Sequence, residues 1–160
     1  MTNLIVYCSS HGTTAKAAQL LGESLVGKVE LVDLSKHKNP DLTPYDAVII
    51  GGSIHAGMIQ RKLKKFITMN HDTLLTKKTG FFLCCFREGA EAKTQFETAF
   101  PQDLRTQAVS DGIFGGEFIF SNMNFFEKQI IKKVAGVSSD QSNLDITAIK
   151  EFADRFNHAS

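Results

Sequence analysis

Only three cysteines occur in the 160 residues, two of them adjacent (Cys84 and Cys85), and no C-x-x-C pair is present. A disulfide framework and a zinc site built on such a pair are therefore excluded, no metal is expected, and reduced thiols of a cytosolic protein are the simplest reading. Charge of one sign is lacking too: 18 Lys and Arg face 17 Asp and Glu, a formal net charge of +1. A nucleic-acid-binding domain would show a marked basic excess, so that class is set aside. Long hydrophobic runs are missing, the longest apolar blocks being strand-sized and far below the ~20 residues that span a bilayer. No basic stretch leads into an apolar run and a small-residue cleavage site at the amino terminus, so no secretory signal is expected. What remains is a soluble, cytoplasmic chain whose length suits a single domain over residues 1–160, with 42% apolar residues to build one core.

Five apolar blocks alternate with segments of helical period, the pattern of βαβ units around a parallel sheet. Leu4-Ile5-Val6-Tyr7-Cys8, Ala47-Val48-Ile49-Ile50 and Gly80-Phe81-Phe82-Leu83-Cys84-Cys85 are apolar throughout, as strands covered on both faces must be. Val29 to Asp33 is more polar and belongs nearer an edge. A last strand is expected over Gly112 to Ile119, interrupted by Gly115-Gly116. Between these blocks, Ala17, Ala18, Leu21 and Leu25 form one face of a helix beginning near Thr13. Ile59, Leu63, Phe66 and Ile67 form a second stripe with Arg61, Lys62, Lys64 and Lys65 turned outward, and Ala92, Phe96 and Ala99 a third. Ile146, Ile149, Phe152, Ala153 and Phe156 mark the last helix, while the stretch holding Pro40 and Pro44 is too broken for one. The fold class is α/β: a three-layer, doubly wound, five-stranded parallel sheet of order 2-1-3-4-5. Ligands of such sheets bind beyond the carboxyl ends of the strands, at the switch between strands 1 and 3. Three loops then matter, those after Cys8, Ile50 and Cys85.

The first is Ser9-Ser10-His11-Gly12-Thr13-Thr14, running straight into a helix. Hydroxyls, a flexible glycine and backbone N–H groups at a helix N-terminus make an anion cradle, although the same residues also serve as a plain helix cap. The Gly-x-x-x-x-Gly-Lys spacing of a nucleoside-triphosphate loop is absent, which suits a lone phosphate monoester. A dinucleotide fold would require Gly-x-Gly-x-x-Gly, of which only Gly12 is present; Asp33 near the ribose position is then a solvated strand end. A phosphoacceptor receiver domain would need an aspartate after strand 3, where Gly51-Gly52-Ser53 stands.

Strand, hydroxyl-rich loop, helix and a glycine-containing loop after strand 3 together resemble the flavodoxin family, which binds FMN. Ile50 to Gly57 (IGGSIHAG) and the stretch from Phe114-Gly115-Gly116 through Phe118 to Gly136 are similar to the menaquinone-dependent protoporphyrinogen IX dehydrogenases, short flavodoxin-like enzymes of haem biosynthesis. The resemblance implies that Ser9, Ser10, His11, Gly12, Thr13 and Thr14 hold the FMN phosphate, His11 standing where flavodoxins prefer a hydroxyl residue. It implies that Ser53, Ile54, His55, Ala56 and Gly57 line one edge of the ring, and Cys85, Phe86, Arg87 and Glu88 the other side. Backbone N–H groups around the ring would tune its redox state. Many flavodoxins stack the ring between tryptophan and tyrosine, whereas this chain has no tryptophan, and Tyr7 and Tyr45 lie outside both ring loops. Phe86 is either the aromatic stacker or a cap on its strand in the core. His55 and Arg87 are the candidates for contacting substrate or flavin.

The resemblance implies an FMN-dependent oxidoreductase passing electrons to a quinone-type acceptor; an electron carrier for a redox protein partner, or a flavin-free binding domain, are the alternatives. Classical flavodoxins are strongly acidic, and the balanced charge here argues against a carrier. Phe118-Ile119-Phe120, Phe125-Phe126, Ile130 and Val134, with Lys128, Lys132 and Lys133, form a basic and aromatic segment. It reads either as a core helix with snorkelling lysines or as a surface for a lipophilic substrate (a porphyrinogen or quinone), for the inner face of the cell membrane, or for a homodimer.

Overall fold

In the computed structural model, which describes residues 1–118, 129, 141–142 and 144–160, Leu4, Ile5 and Val6 lie in one strand and have no exposed surface. Along the chain run β1 (Thr2–Tyr7), α1 (Thr13–Ser24), β2 (Lys28–Asp33), β3 (Ala47–His55), β4 (Met58–Ile59), α2 (Arg61–Met69), α3 (His71–Leu75) and β5 (Lys78–Cys84). They are followed by α4 (Gly89–Ala99), α5 (Gln102–Gln107), β6 (Ser110–Ile113), β7 (Glu117–Phe118), β8 (Gln141–Ser142) and α6 (Ile146–His158). The parallel strands stand in the order β2-β1-β3-β5-β6, and β4 folds back antiparallel on β3. With β4 left out of the count, this is the expected 2-1-3-4-5 arrangement, and the more polar β2 is indeed at an edge.

Successive side chains of a strand point to opposite faces, and the central strands divide the core accordingly. Leu4, Val6, Val48, Ile50, Phe81 and Leu83 pack on one side with Leu63 and Phe66 of α2, Phe96 of α4 and Leu104 of α5. Ile5, Ala47, Ile49, Phe82 and Cys84 pack on the other with Ala17 and Leu21 of α1 and Ile149, Phe152 and Phe156 of α6. Burial on both faces is why these strands are apolar without alternation. Each fully buried large side chain stabilises the fold by roughly 1.5–3 kcal/mol relative to exposure. On α2 the periodicity works as read: Leu63, Phe66 and Ile67 are buried, and Arg61, Lys62, Lys64 and Lys65 are exposed. The stretch between β2 and β3 forms no helix, and its Leu34 and Leu42 are drawn into the core instead.

Three expectations are corrected. The last strand of the main sheet spans Ser110 to Ile113, so it ends before Gly115-Gly116 rather than running through them. Glu117 and Phe118 pair instead with Gln141 and Ser142 in a separate two-stranded sheet. Ile59 belongs to β4 and not to the helical stripe, because the chain turns back on β3 before α2 begins. The third strand does not stop at Ile50 but continues to His55. Of the basic and aromatic segment, Ile119, Phe120, Phe125, Phe126, Lys128, Ile130, Lys132, Lys133 and Val134 lie outside the described residues.

Candidate functional site

The parallel strands deliver three chain segments to one end of the sheet, beyond β1, β3 and β5. After β1, Gly12 takes a left-handed conformation (φ 92°) and serves as N-cap of α1 without a side-chain cap. Only glycine adopts that conformation at little cost, and a Cβ at this position would meet nothing within 4 Å. A helix start concentrates N–H groups and the positive end of the helix dipole, which suits an anion. Ser9 Oγ accepts the Gly12 N–H at 3.1 Å, so this hydroxyl shapes the loop. Thr13 and Thr14 are buried, Ser9 and His11 half-buried and Ser10 exposed. Asp33, read from sequence as solvated, is only 6% exposed. Its carboxylate accepts the N–H and hydroxyl of Ser35 (2.9 and 2.7 Å) and the Ser9 N–H at 3.4 Å, anchoring the loop to β2. The cause is partly local, since the turn after β2 brings the Ser35 N–H and hydroxyl onto the carboxylate, and partly tertiary, since the Ser9 N–H arrives from the end of β1.

The second segment is a β-hairpin rather than an open loop. Ile54 pairs with Ile59 and His55 with Met58, leaving Ala56 and Gly57 as a two-residue turn with both φ values positive (50° and 78°). Two such residues in succession give the turn whose twist matches the strands it joins. The antiparallel register sets Gln60 opposite Ser53, and the two are knotted together. Gln60 Nε2 donates to Ser53 Oγ (2.7 Å) and to the Cys8 carbonyl (3.1 Å), while Ser53 N–H donates to Gln60 Oε1 (3.3 Å). His55 Nε2 stands 3.3 Å from Ser53 Oγ, and its ring centroid is 6.1 Å from that of His11. The structure thus brings the first loop and the hairpin together. Gln60 was not among the residues read from sequence; recognising His55-Ala56-Gly57-Met58 as a hairpin turn would have placed it.

Cys84 pairs with Ser53 across β3 and β5, so the third segment, Cys85 to Glu88, starts beside the hairpin. Phe86 is half-buried, Arg87 and Glu88 are exposed, and Arg87 Nε lies 3.5 Å from Glu91 one turn along α4. Gly116 packs so closely on this segment that a Cβ there would stand 3.1 Å from Cys85 C and Phe86 N. Burial pushes the Cys85 thiol up to about 11, with the Arg87 backbone opposing and Glu91 adding. Burial, then Asp33, also raises the Cys8 thiol, against a lowering by Lys62. All three cysteines are buried thiols. Since only thiolate reacts, the folded chain is expected to react slowly with dithionitrobenzoate at about pH 8, near the pKa of a free cysteine. Urea-unfolded protein should release the full three equivalents at once. Rapid reaction of one thiol in the folded state would contradict this burial.

A family model described as "Flavodoxin domain" matches residues 4–145. The chain belongs to the flavodoxin-domain family. Protoporphyrinogen IX dehydrogenase [quinone] of Leishmania major is 24% identical over 170 aligned residues, covering 96% of this chain and 73% of that protein. Among solved structures, oxidised flavodoxin 1 of Bacillus cereus superposes with a TM-score of 0.60 at 15% identity, covering 100% of both chains. A WrbA-like flavodoxin of Agrobacterium tumefaciens gives 0.60 at 17% identity over 98% of this chain and 95% of that one. Two-electron-reduced flavodoxin of Megasphaera elsdenii gives 0.60 at 18% identity, covering 99% of this chain and 100% of the other. At such identities the structural matches establish the flavodoxin-domain fold. Among the described residues, no helix of this flavodoxin-domain chain is long and apolar enough to cross a membrane.

Proposed function

We propose that the chain is an FMN-dependent oxidoreductase similar to the protoporphyrinogen IX dehydrogenases, passing electrons from a reduced substrate such as a porphyrinogen to a quinone-type acceptor. The observation that carries the reading is the start of α1, with left-handed Gly12 as its N-cap, behind a hydroxyl-rich loop and set beside the β3–β4 hairpin. These residues fit the cofactor. An amide and hydroxyl cradle without lysine suits one phosphate monoester, and Ser9 to Thr14 would hold it. The hairpin residues Ser53 to Gly57 and the segment Cys85 to Glu88 would flank the ring. FMN supplies the electron-transfer chemistry when bound; the protein's share is binding, orientation and the placing of N–H groups and charges around it.

The relative of Leishmania major, matched along nearly the whole chain, favours the dehydrogenase reading, and the charge pattern favours an enzyme over a carrier. The face of α2 beside the hairpin carries Arg61, Lys62, Lys64 and Lys65, exposed and in no ion pair among the described residues. An acidic docking surface of the kind a shuttle flavodoxin uses is not found there.

The test is the visible absorption spectrum of purified protein titrated with FMN, and with riboflavin and FAD as controls. FMN is expected to bind with perturbed flavin bands and riboflavin much more weakly, after which turnover with porphyrinogen and quinone decides between enzyme and carrier. A chain indifferent to all three flavins would end the redox reading. Ser9→Ala and Thr14→Ala are each expected to weaken FMN by about 0.5–1.5 kcal/mol, roughly 2- to 12-fold, as one hydrogen bond is lost. Unchanged affinity in both would remove the phosphate from this loop.

A further inference from the structure

We infer that Gln60 is a positioning residue that holds the phosphate-loop end of β1 and the ring-side end of β3 at one separation, so that a single ligand is gripped at both. The inference rests on the reading of this site as an FMN site. Its ground is the hydrogen-bonding capacity of the side chain. The Cys8 carbonyl can only accept and the Ser53 N–H can only donate, so the amide nitrogen must face Cys8 and the amide oxygen Ser53. Both contacts require the same orientation, which leaves no alternative flip. The second N–H goes to Ser53 Oγ, and both hydrogens are then spent within the fold. A residue so committed has no donor left for a ligand. Its work is on the two segments it joins.

Cys8 directly precedes Ser9, whose N–H goes to Asp33 on the β2 side. The Cys8–Ser9 linkage is thus held from both flanks, by Asp33 toward β2 and by Gln60 toward β3. Within the parallel sheet the β1–β3 pairing stops at Tyr7 and Gly51, before either segment begins. Beyond that point Gln60 ties them by hydrogen bonds, next to the approach of the His11 and His55 rings. A ligand with an anionic end at Ser9–Thr14 and a flat ring at Ser53–Gly57 gains from a constant separation, because binding one end raises the effective concentration of the other. A ligand that occupies one end alone gains nothing from it.

The test compares FMN with two probes that each fill half of the site, riboflavin and inorganic phosphate. Gln60→Met keeps the length of the side chain and removes all three hydrogen bonds. It is expected to raise the Kd for FMN about tenfold, a part of the gain that linkage provides, while riboflavin and phosphate change by less than about twofold. Circular dichroism checks the fold of the variant. If Gln60→Met does not fold, Gln60→Leu carries the test, since it also removes all three hydrogen bonds and adds no charge beside the phosphate loop. Unchanged FMN affinity would overturn the inference. A parallel loss for FMN and riboflavin would assign Gln60 to the ring subsite alone, and a parallel loss for FMN and phosphate to the phosphate subsite alone; either overturns it as well. A wild-type chain that binds no flavin would instead remove the FMN reading, and the inference with it.

Discussion

Gly51→Ala is expected to destabilise the fold by at least about 3 kcal/mol, at the upper end of what overpacking a core costs. A Cβ on Gly51 would stand 1.9 Å from Phe82 Cζ, with Cε1 and Cε2 at 2.2 and 2.3 Å, far inside any real contact. The clash could be relieved only if the Phe82 ring withdrew, and its surroundings prevent that. Phe82 has no exposed surface, its ring is stacked on Phe114 at 4.8 Å between centroids, and Phe152 meets it edge-on at 6.5 Å. For a chain of this size such a loss lowers the melting temperature by about 6–12 °C, at ~2–4 °C per kcal/mol. The smaller ring-free side chain in Phe82→Leu should restore part of the loss in the double variant, the two positions coupling by about 0.5–3 kcal/mol. Urea midpoints of the four proteins measure this. A Gly51→Ala chain within about 1 kcal/mol of wild type, below the usual range for overpacking, would show that the ring is not seated over this glycine.

Ser10→Asp is expected to weaken FMN by about 2 kcal/mol, near 30-fold, while slightly stabilising the chain without flavin. Ser10 is exposed in the first loop, so the substitution disturbs no packing. Two unit charges at about 4 Å repel by roughly 1 kcal/mol in water and 4 kcal/mol near a protein surface, and a phosphate monoester carries about −1.5 to −2 at neutral pH. Riboflavin, lacking the phosphate, should bind as before, and added salt should shrink the FMN effect. With no flavin present, the same carboxylate near the start of α1 stabilises by about 0.3–1 kcal/mol through the helix dipole. Opposite signs for affinity and stability are the signature of a phosphate seated at that helix end. An equal loss for FMN and riboflavin would place the phosphate elsewhere.

Glycine was the residue type most easily misread. Gly51-Gly52-Ser53 looks like the start of a loop because glycines commonly punctuate strands. In the folded chain both glycines are buried strand residues, and their missing side chains make room for Phe82 and Leu63; a Cβ on Gly52 would lie 2.5 Å from Leu63 Cδ2. The first loop was far more legible. Its hydroxyls, Gly12 and the start of α1 at Thr13 are adjacent in the chain, so local preference and observed structure coincide.

Legible in the sequence were the strand and helix alternation, the covering of the central strands on both faces of the sheet, and the run of the first loop straight into a helix. These follow from side-chain period and backbone preference over a few residues. The tertiary structure decided that the Ser9 N–H reaches the Asp33 carboxylate, that β6 stops at Ile113, and that Gln60 ties Ser53 to Cys8. Each of these depends on groups far apart in sequence, 24 residues for Asp33 and Ser9 and 52 for Gln60 and Cys8. A polar side chain is silent about its partner until the fold has brought that partner within hydrogen-bonding distance.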